Sequence, residues 1–509
     1  MSFLLLFVLL ELAAILVLNQ GVFTYTLDDP YIHLALAENI RAGHYGINPG
    51  EPSAPASSIL WPFLLAPVAS LPFGELAPLL LNILAALLSV GYFWKFLQIA
   101  APAAAPQLRT RLNFYLTIFL ILGVNLVGLV FLGMEHSWQV LLVIMIVYYL
   151  VLEAETGRVS PWLGAAILLA PLIRYENLGV SLAALVYLAF RRRFKLSLGL
   201  AALLALLLGG FSLYLMGMGF SPFPTSVVAK SSAIAHPGLL TSALNNLFSS
   251  LQQGRGVMLA LGWLAMVGYS LFPHRNPASR PLALALSLAV FLHLCFGSYG
   301  WYYRYEIYIW AVLVLALIYL SKDFLAGFLT GAAARANTFK WIALAGLLLL
   351  VTALNYVISL GTIPLAANNI YEQHYQMHRF VTEYYPHPAA VNDIGYVSYR
   401  NERYVLDLYG LASAEALQHR LSDPDPAWMA ELAARHSVEL AMVYDAWFSG
   451  LPASWIKLGE LRLSKPKITP SSAVVSFYAL NPPAAGEIRQ ALEQFVPTLP
   501  PGVIFQFTP

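Results

Sequence analysis

Residues 3–40 read FLLLFVLLELAAILVLNQGVFTYTLDDPYIHLALAENI, an apolar run followed at once by two adjacent carboxylates, Asp28 and Asp29. About 20 apolar residues cross a bilayer as one helix, so the acid pair stands within a turn or so of a membrane surface. MSFLLLF has no basic n-region and no small-residue cleavage site follows, so the run reads as a retained first span rather than a signal peptide. Beyond it, the 509-residue chain is 59% hydrophobic and only 11% charged, with a mean hydropathy of +0.68. Soluble domains carry about 25% charged residues. This composition is that of an integral membrane protein. A net charge of +2 gives no basis for nucleic-acid binding. The single cysteine, Cys295, rules out an intrachain disulfide.

Apolar runs near 3–20, 76–98, 113–132, 138–153, 162–174, 177–190, 196–217, 257–272, 281–298, 305–320 and 340–360 predict about eleven spans. The stretch 59–73 is apolar but broken by Pro62, Pro67 and Pro72, and reads as a surface helix. Basic residues sort the loops. Arg109, Arg111, Arg158, Arg191, Arg192, Arg193, Lys195, Arg275, Arg280, Lys322, Arg335 and Lys340 fall on one side; Arg41, Arg174, Lys230, Arg255 and Arg304 fall on the other. Twelve against five places the first set in the cytoplasm. The expected architecture is a polytopic α-helical membrane module over 1–360, with a first external loop at 21–75, and an extracytoplasmic domain over 361–509. That domain alternates helical stretches (NNIYEQHYQMHRFVTEYYP, DPAWMAELAARHS) with strand-like ones (AAVNDIG, RYVLDLYGLAS, VELAMVYDAWF, SSAVVSFYAL), which predicts an α/β fold.

The expected outer face collects acids and bases at span ends. Pro30 suits a first helical turn and Asp29 before it is a natural N-cap, leaving Asp28 as a general base. The alternative is that Asp29 caps a helix and Asp28 is merely solvated. FLGMEHSWQ places Glu135 and His136 at a turn, LIRYENLG places Arg174 and Glu176, FPTSVVAKSS presents Lys230, and GSYGWYYRYEIYIW presents Arg304 among aromatics. Singly, each fits interfacial anchoring or snorkelling. Together they suit transfer of a sugar carried on a lipid phosphate. One carboxylate activates the acceptor hydroxyl, and cations or a carboxylate-held divalent ion (Mg²⁺ or Mn²⁺, with Asp28 and Asp29 as ligands) stabilise the departing phosphate.

Six stretches carry a resemblance: DDPYIHLALAENIRAGHYGINPGE, SAPASSILWPFLLAP, GMEHSWQVLL, LIRYENLG, PFPTSVVAK and VNDIGYVSYRNERYVLDLYGL. In that order, they are similar to motifs of bacterial GT-C superfamily membrane glycosyltransferases, in the group around the mycobacterial terminal arabinofuranosyltransferases. Tyr175 stands where that group has a proline, and PFPTSVVAK lacks its asparagine. The resemblance implies a multi-pass enzyme of the bacterial inner membrane. It implies inverting transfer from a polyprenyl-phosphate sugar to an envelope glycan, lipid or protein. By the resemblance Asp28 and Asp29 would be catalytic; Lys230, Arg304, Arg174, Glu135, His136 and Glu176, from their place at span ends, are the expected ligands of donor phosphate or substrate. The rivals are a membrane transporter or flippase of lipid-linked saccharides with an external domain, favoured by Glu11 within the first span and His293 within a later one, an enzyme moving aminoarabinose, and a non-catalytic assembly protein.

Overall fold

The computed structural model describes residues 1–100, 106–230, 238–272, 276–323 and 353–509. The expected span at 340–360 lies outside the described residues as far as 352, as do Arg275, Arg335 and Lys340; the Lys230 side chain is also outside them.

Each of the other expected spans meets a helix, but the count of about eleven is not reached. Among the described residues, four helices are long and apolar enough to cross a membrane: Gly74–Ala100, His136–Thr156, Phe194–Gly217 and Ser279–Phe296. Ser2–Leu18, Pro161–Ile173, Tyr175–Phe190 and Ile307–Leu320 are apolar but shorter. The 13 residues of Pro161–Ile173 rise about 20 Å, short of a hydrocarbon core of about 30 Å. Proline and charge set that length. Ser160 caps its start through Trp162 N–H, and Arg174 leaves the helical region at φ −151°, ψ 131°. The predicted 113–132 span is two helices, Pro106–Gly123 and Leu126–Phe131, parted by Asn125 at φ 49°. The proline-broken stretch forms the helix Trp61–Ala69, as its reading as a short surface element requires; Trp61 is buried while Phe63 and Leu64 are exposed.

The helix His136–Thr156 is about 31 Å long and separates two polar ends. At its C-terminal end, Glu153 pairs with Arg191, Glu155 with Lys322, and Arg193 donates to Gly157 O. At its N-terminus stand Glu135, Arg174, His33 and Ser57. The strongly basic loops and the candidate site therefore occupy opposite ends.

The C-terminal region holds one six-stranded sheet of β1 (Ala389–Val391), β2 (Val405–Asp407), β3 (Leu440–Val443), β4 (Ile456–Arg462), β5 (Val474–Ala479) and β6 (Ile504–Phe507), in the order β2-β1-β3-β5-β4-β6. β2, β1 and β3 run parallel; the rest pair antiparallel. Side chains alternate between faces, as the pleat demands. Ala389, Val391, Leu440, Met442, Val475 and Phe477 join the core continuous with the membrane helices. Ala390, Leu406, Ala441 and Val443 face a separate core beneath helix Ala427–Arg435, with Trp428 and Leu432. This face of the sheet packs on Phe380 and the helix Pro482–Phe495 of the same region, through the Phe477, Phe380 and Phe495 rings, and the region is held over the first loop by Tyr396, whose ring meets that of Tyr31 at 3.8 Å.

Candidate active site

The first loop reaches the site through a short extended segment anchored by Thr26, whose N–H donates to Phe131 O at 3.1 Å. Gly133, at φ +69°, passes beneath it; a Cβ there would strike the Tyr25 ring and Pro30. The helix then begins at Asp29, with Asp28 in the N-cap position and making no side-chain cap. This corrects the expected division of labour, in which Asp29 was the cap. The Asp28 side chain does not cap its own helix; both acids are engaged across the fold. The Asp28 carboxylate accepts the N–H groups of Gly395 and Tyr396 at 2.7 and 2.8 Å, and Asp29 takes Arg304 Nη1 at 2.9 Å.

The partners of Asp28 explain the VNDIG stretch. Asn392 Oδ1 accepts Tyr444 N–H at 2.7 Å, which locks the β1 and β3 ends together. Asp393 Oδ2 lies 3.2 Å from His374 Nε2. Gly395 must be glycine, since a Cβ would collide with the Asp28 carbonyl and carboxylate. The DLYGL stretch is a second tight turn. Asp407 accepts from Tyr409, Gly410 and Ala412 N–H at 2.7–3.0 Å, and Gly410 sits at φ +90° against Leu417. Burial pushes both Asp28 and Asp407 up to about 6. For Asp28 the charge of His374 and the two N–H bonds oppose that rise, while Asp393 adds to it.

Asp28, Asp29, His374 and Asp393 line one pocket of about 190 Å³ between the first loop and the C-terminal region. Its other walls are largely apolar and aromatic, including Leu27, Ile32, Trp301, Tyr305, Tyr409 and Trp447. Trp301, Tyr302 and Tyr303 all hold left-handed backbone, at φ 44°, 59° and 62°. Each costs about 1–2 kcal/mol, so packing must impose the shape. Tyr302 Oη meets Thr362 Oγ1 at 3.0 Å, and Arg255, ion-paired with Glu306, lies over the Tyr303 ring at 4.2 Å.

The remaining sequence candidates divide. Arg304 is 1% exposed and in the pocket's electrostatic reach through Asp29 and Tyr305, to whose Oη it donates at 3.2 Å. Arg174 is buried in a different network: Nη1 reaches Glu135 Oε1 at 2.7 Å, and Nε reaches Glu176 Oε2 at 3.1 Å. His33 Nε2 stands 3.7 Å from Glu135 Oε2. His136, fully buried, opens the adjacent helix. Arg174, Glu135 and Glu176 are therefore brought together, but none of them or His136 lines the pocket. Both described cations, expected to meet phosphate, already carry carboxylate partners. Among the described residues no three His, Cys, Asp or Glu groups are placed to hold a metal ion. With the Asp28 oxygens on backbone N–H groups and Asp29 on a guanidinium, the acid pair as arranged does not fit a divalent cation. His374, Tyr409 and Trp447 were missed as site residues, because a lone histidine in a helical stretch and aromatics in a soluble domain carry no local signal.

A family model described as "Domain of unknown function (DUF8728)" matches residues 368–478, the span that holds His374, Asp393, Tyr409 and Trp447. No curated protein matches the chain. Among solved structures, the apo crystal structure of the Archaeoglobus fulgidus oligosaccharyltransferase aligns over 92% of this chain and 74% of its own, with 12% identity and a TM-score of 0.46. The archaeal oligosaccharyltransferase from Archaeoglobus fulgidus in complex with an inhibitory peptide and a dolichol-phosphate aligns over 100% of this chain and 76% of its own, at 12% identity and a TM-score of 0.42.

Proposed function

We propose that this chain is a GT-C-type membrane glycosyltransferase of a bacterial inner membrane. It moves a sugar from a polyprenyl-phosphate donor to a glycan, lipid or protein acceptor on the face away from the cytoplasm, with inversion. The observation that carries the reading is the pocket itself. Two first-loop carboxylates and a histidine–carboxylate pair from the soluble domain converge on one small cleft walled by aromatics, at the polar end of apolar helices. Aromatic faces offer sugars an apolar surface with oriented polar edges.

In this reading Asp28 is the general base. A carboxylate raised towards neutrality accepts a proton from a hydroxyl more readily than an ordinary one. Its two backbone N–H bonds fix its direction. Asp29 is paired with Arg304, and Arg304 is the cation within reach of a leaving phosphate, shared between the two. Arg174, Glu135, Glu176 and His136 support the turn beneath the site, and Lys230 remains a candidate phosphate ligand.

The test is transfer by the purified protein, in detergent or nanodiscs, from a panel of polyprenyl-phosphate sugars to simple glycoside acceptors. Product of inverted anomeric configuration is expected from at least one donor. Asp28→Asn should lower turnover by about 10²–10⁴-fold, the usual contribution of an acid–base group. No transfer from any lipid-phosphate sugar, or equal turnover by Asp28→Asn, would sink the proposal.

A further inference from the structure

The described mechanism uses the first-loop acids but leaves His374 without a role. It is the first residue of the helix His374–Arg379 and is 1% exposed, yet it lines the pocket. Nε2 lies 3.2 Å from Asp393 Oδ2 and 3.3 Å from Tyr444 Oη. The Tyr444 hydroxyl donates to Gln373 Oε1 at 2.6 Å, so towards His374 its oxygen acts as an acceptor. Both neighbours of Nε2 accept, which assigns the proton to that nitrogen.

The groups that face this imidazole are of one kind. Asp28 and Asp29 come from the first loop, Asp393 from the end of β1, and Tyr444 from the end of β3. Burial alone would drive the ring neutral, but the carboxylates outweigh it and raise its affinity for a second proton. An imidazolium among three carboxylates is the arrangement that keeps a buried carboxylate ionised. The clamp is rigid on both sides. Asn392 ties the Asp393 turn to Tyr444, and the next residues of that turn, Gly395 and Tyr396, grip Asp28 itself.

We infer that His374 is a positioning residue of the soluble domain. Clamped by Asp393 and Tyr444, it holds the Asp28 carboxylate ionised and in place, so the base is complete only when the soluble domain is docked. This rests on the reading of Asp28 as base, and no bond is made or broken at His374.

The test reads Asp28 without any substrate. Dicyclohexylcarbodiimide modifies protonated carboxyls, and its labelling of Asp28 in the full-length protein is followed against pH by peptide mass spectrometry. In His374→Gln, which keeps hydrogen bonding but removes the charge, the labelling midpoint should move up by about one pH unit, within the range for loss of a nearby opposite charge. His374→Asn is the second variant should the first not fold. An unmoved midpoint in a folded variant overturns the inference, whether or not transfer occurs; a lowered melting temperature with that unmoved midpoint assigns His374 a purely structural role. A raised midpoint in a protein that transfers no sugar keeps the coupling and removes the glycosyltransferase reading instead. Where transfer is active, the acid limb of its pH profile should shift with the labelling midpoint.

Discussion

If Asp28 is the base as proposed, it is the residue on which folding and chemistry pull in opposite directions. Its folded pKa of about 6, like that of Asp407, lies above the ordinary 3.8 because burial disfavours the charge. Between about pH 6 and pH 3.8 the folded chain holds protons that the unfolded chain has released, so these two groups add stability as pH falls through that window and withdraw it as pH rises. Turnover should do the reverse, falling below about pH 6 as the base is protonated. Melting temperature and initial rate measured from pH 8 to pH 5 should therefore diverge; parallel curves would mean Asp28 is not the group that titrates. Gly395 offers a check that leaves the acid in place. Gly395→Ala puts a methyl into the Asp28 carboxylate, and should reduce turnover by tenfold or more, on the order of one misplaced catalytic group. The acid pair was legible in the sequence because two carboxylates after an apolar run are costly without a use. Which acid does what was not, since Asp28 is oriented by backbone more than 360 positions away.

At the scale of elements, the same turns that looked like separate substrate contacts are joints. Arg174 ends one short apolar helix and neutralises Glu135, which begins another. Arg174→Ala would leave Glu135 and Glu176 facing each other with their shared cation removed, and breaking a buried pair this way costs about 3–5 kcal/mol. The variant should melt markedly lower or fail to fold, and a folded variant impaired only in donor KM would return Arg174 to the substrate. Arg304 belongs with it. A surface cation tolerates removal, but Arg304 is 1% exposed against Asp29, so Arg304→Ala should lose stability as well as activity. The NPG turn of the first loop is also a joint. Asn48 exchanges two hydrogen bonds with Val405, on the open edge of β2, so Asn48→Ala uncovers that edge. Helices were readable from apolar runs and β1, β2, β3 and β5 from short apolar, strand-like stretches. β4 carries Lys457, Glu460 and Arg462 and a register shift between Lys457 and Gly459 that breaks its alternation, and β6 follows closely on Pro500, Pro501 and Gly502, a loop-type stretch.

For the whole molecule, the two ends of the helix bundle differ in kind. One end gathers Arg191, Arg193 and Lys322 around Glu153 and Glu155; the other holds the pocket, the soluble domain and the paired cations. The positive-inside rule reads loop charge and not acidic partners, so the proposed topology puts the basic end in the cytoplasm. The first loop and the soluble domain share Asp28, Asn48 and the ring stack of Tyr31 on Tyr396 at 3.8 Å, so they must lie on the same side. This linkage makes the topology testable at three points that must agree. The Cys295 side chain is buried, which leaves a low background for thiol labelling. Ala42, Gln418 and Arg192 are all exposed. In intact cells an impermeant maleimide should label Ala42→Cys and Gln418→Cys but spare Arg192→Cys until the membrane is opened. Labelling of Arg192→Cys alone would invert the protein and place the pocket in the cytoplasm. Nucleotide sugars would then be the available donors, and a lipid phosphate would no longer be needed to bring a sugar to Asp28.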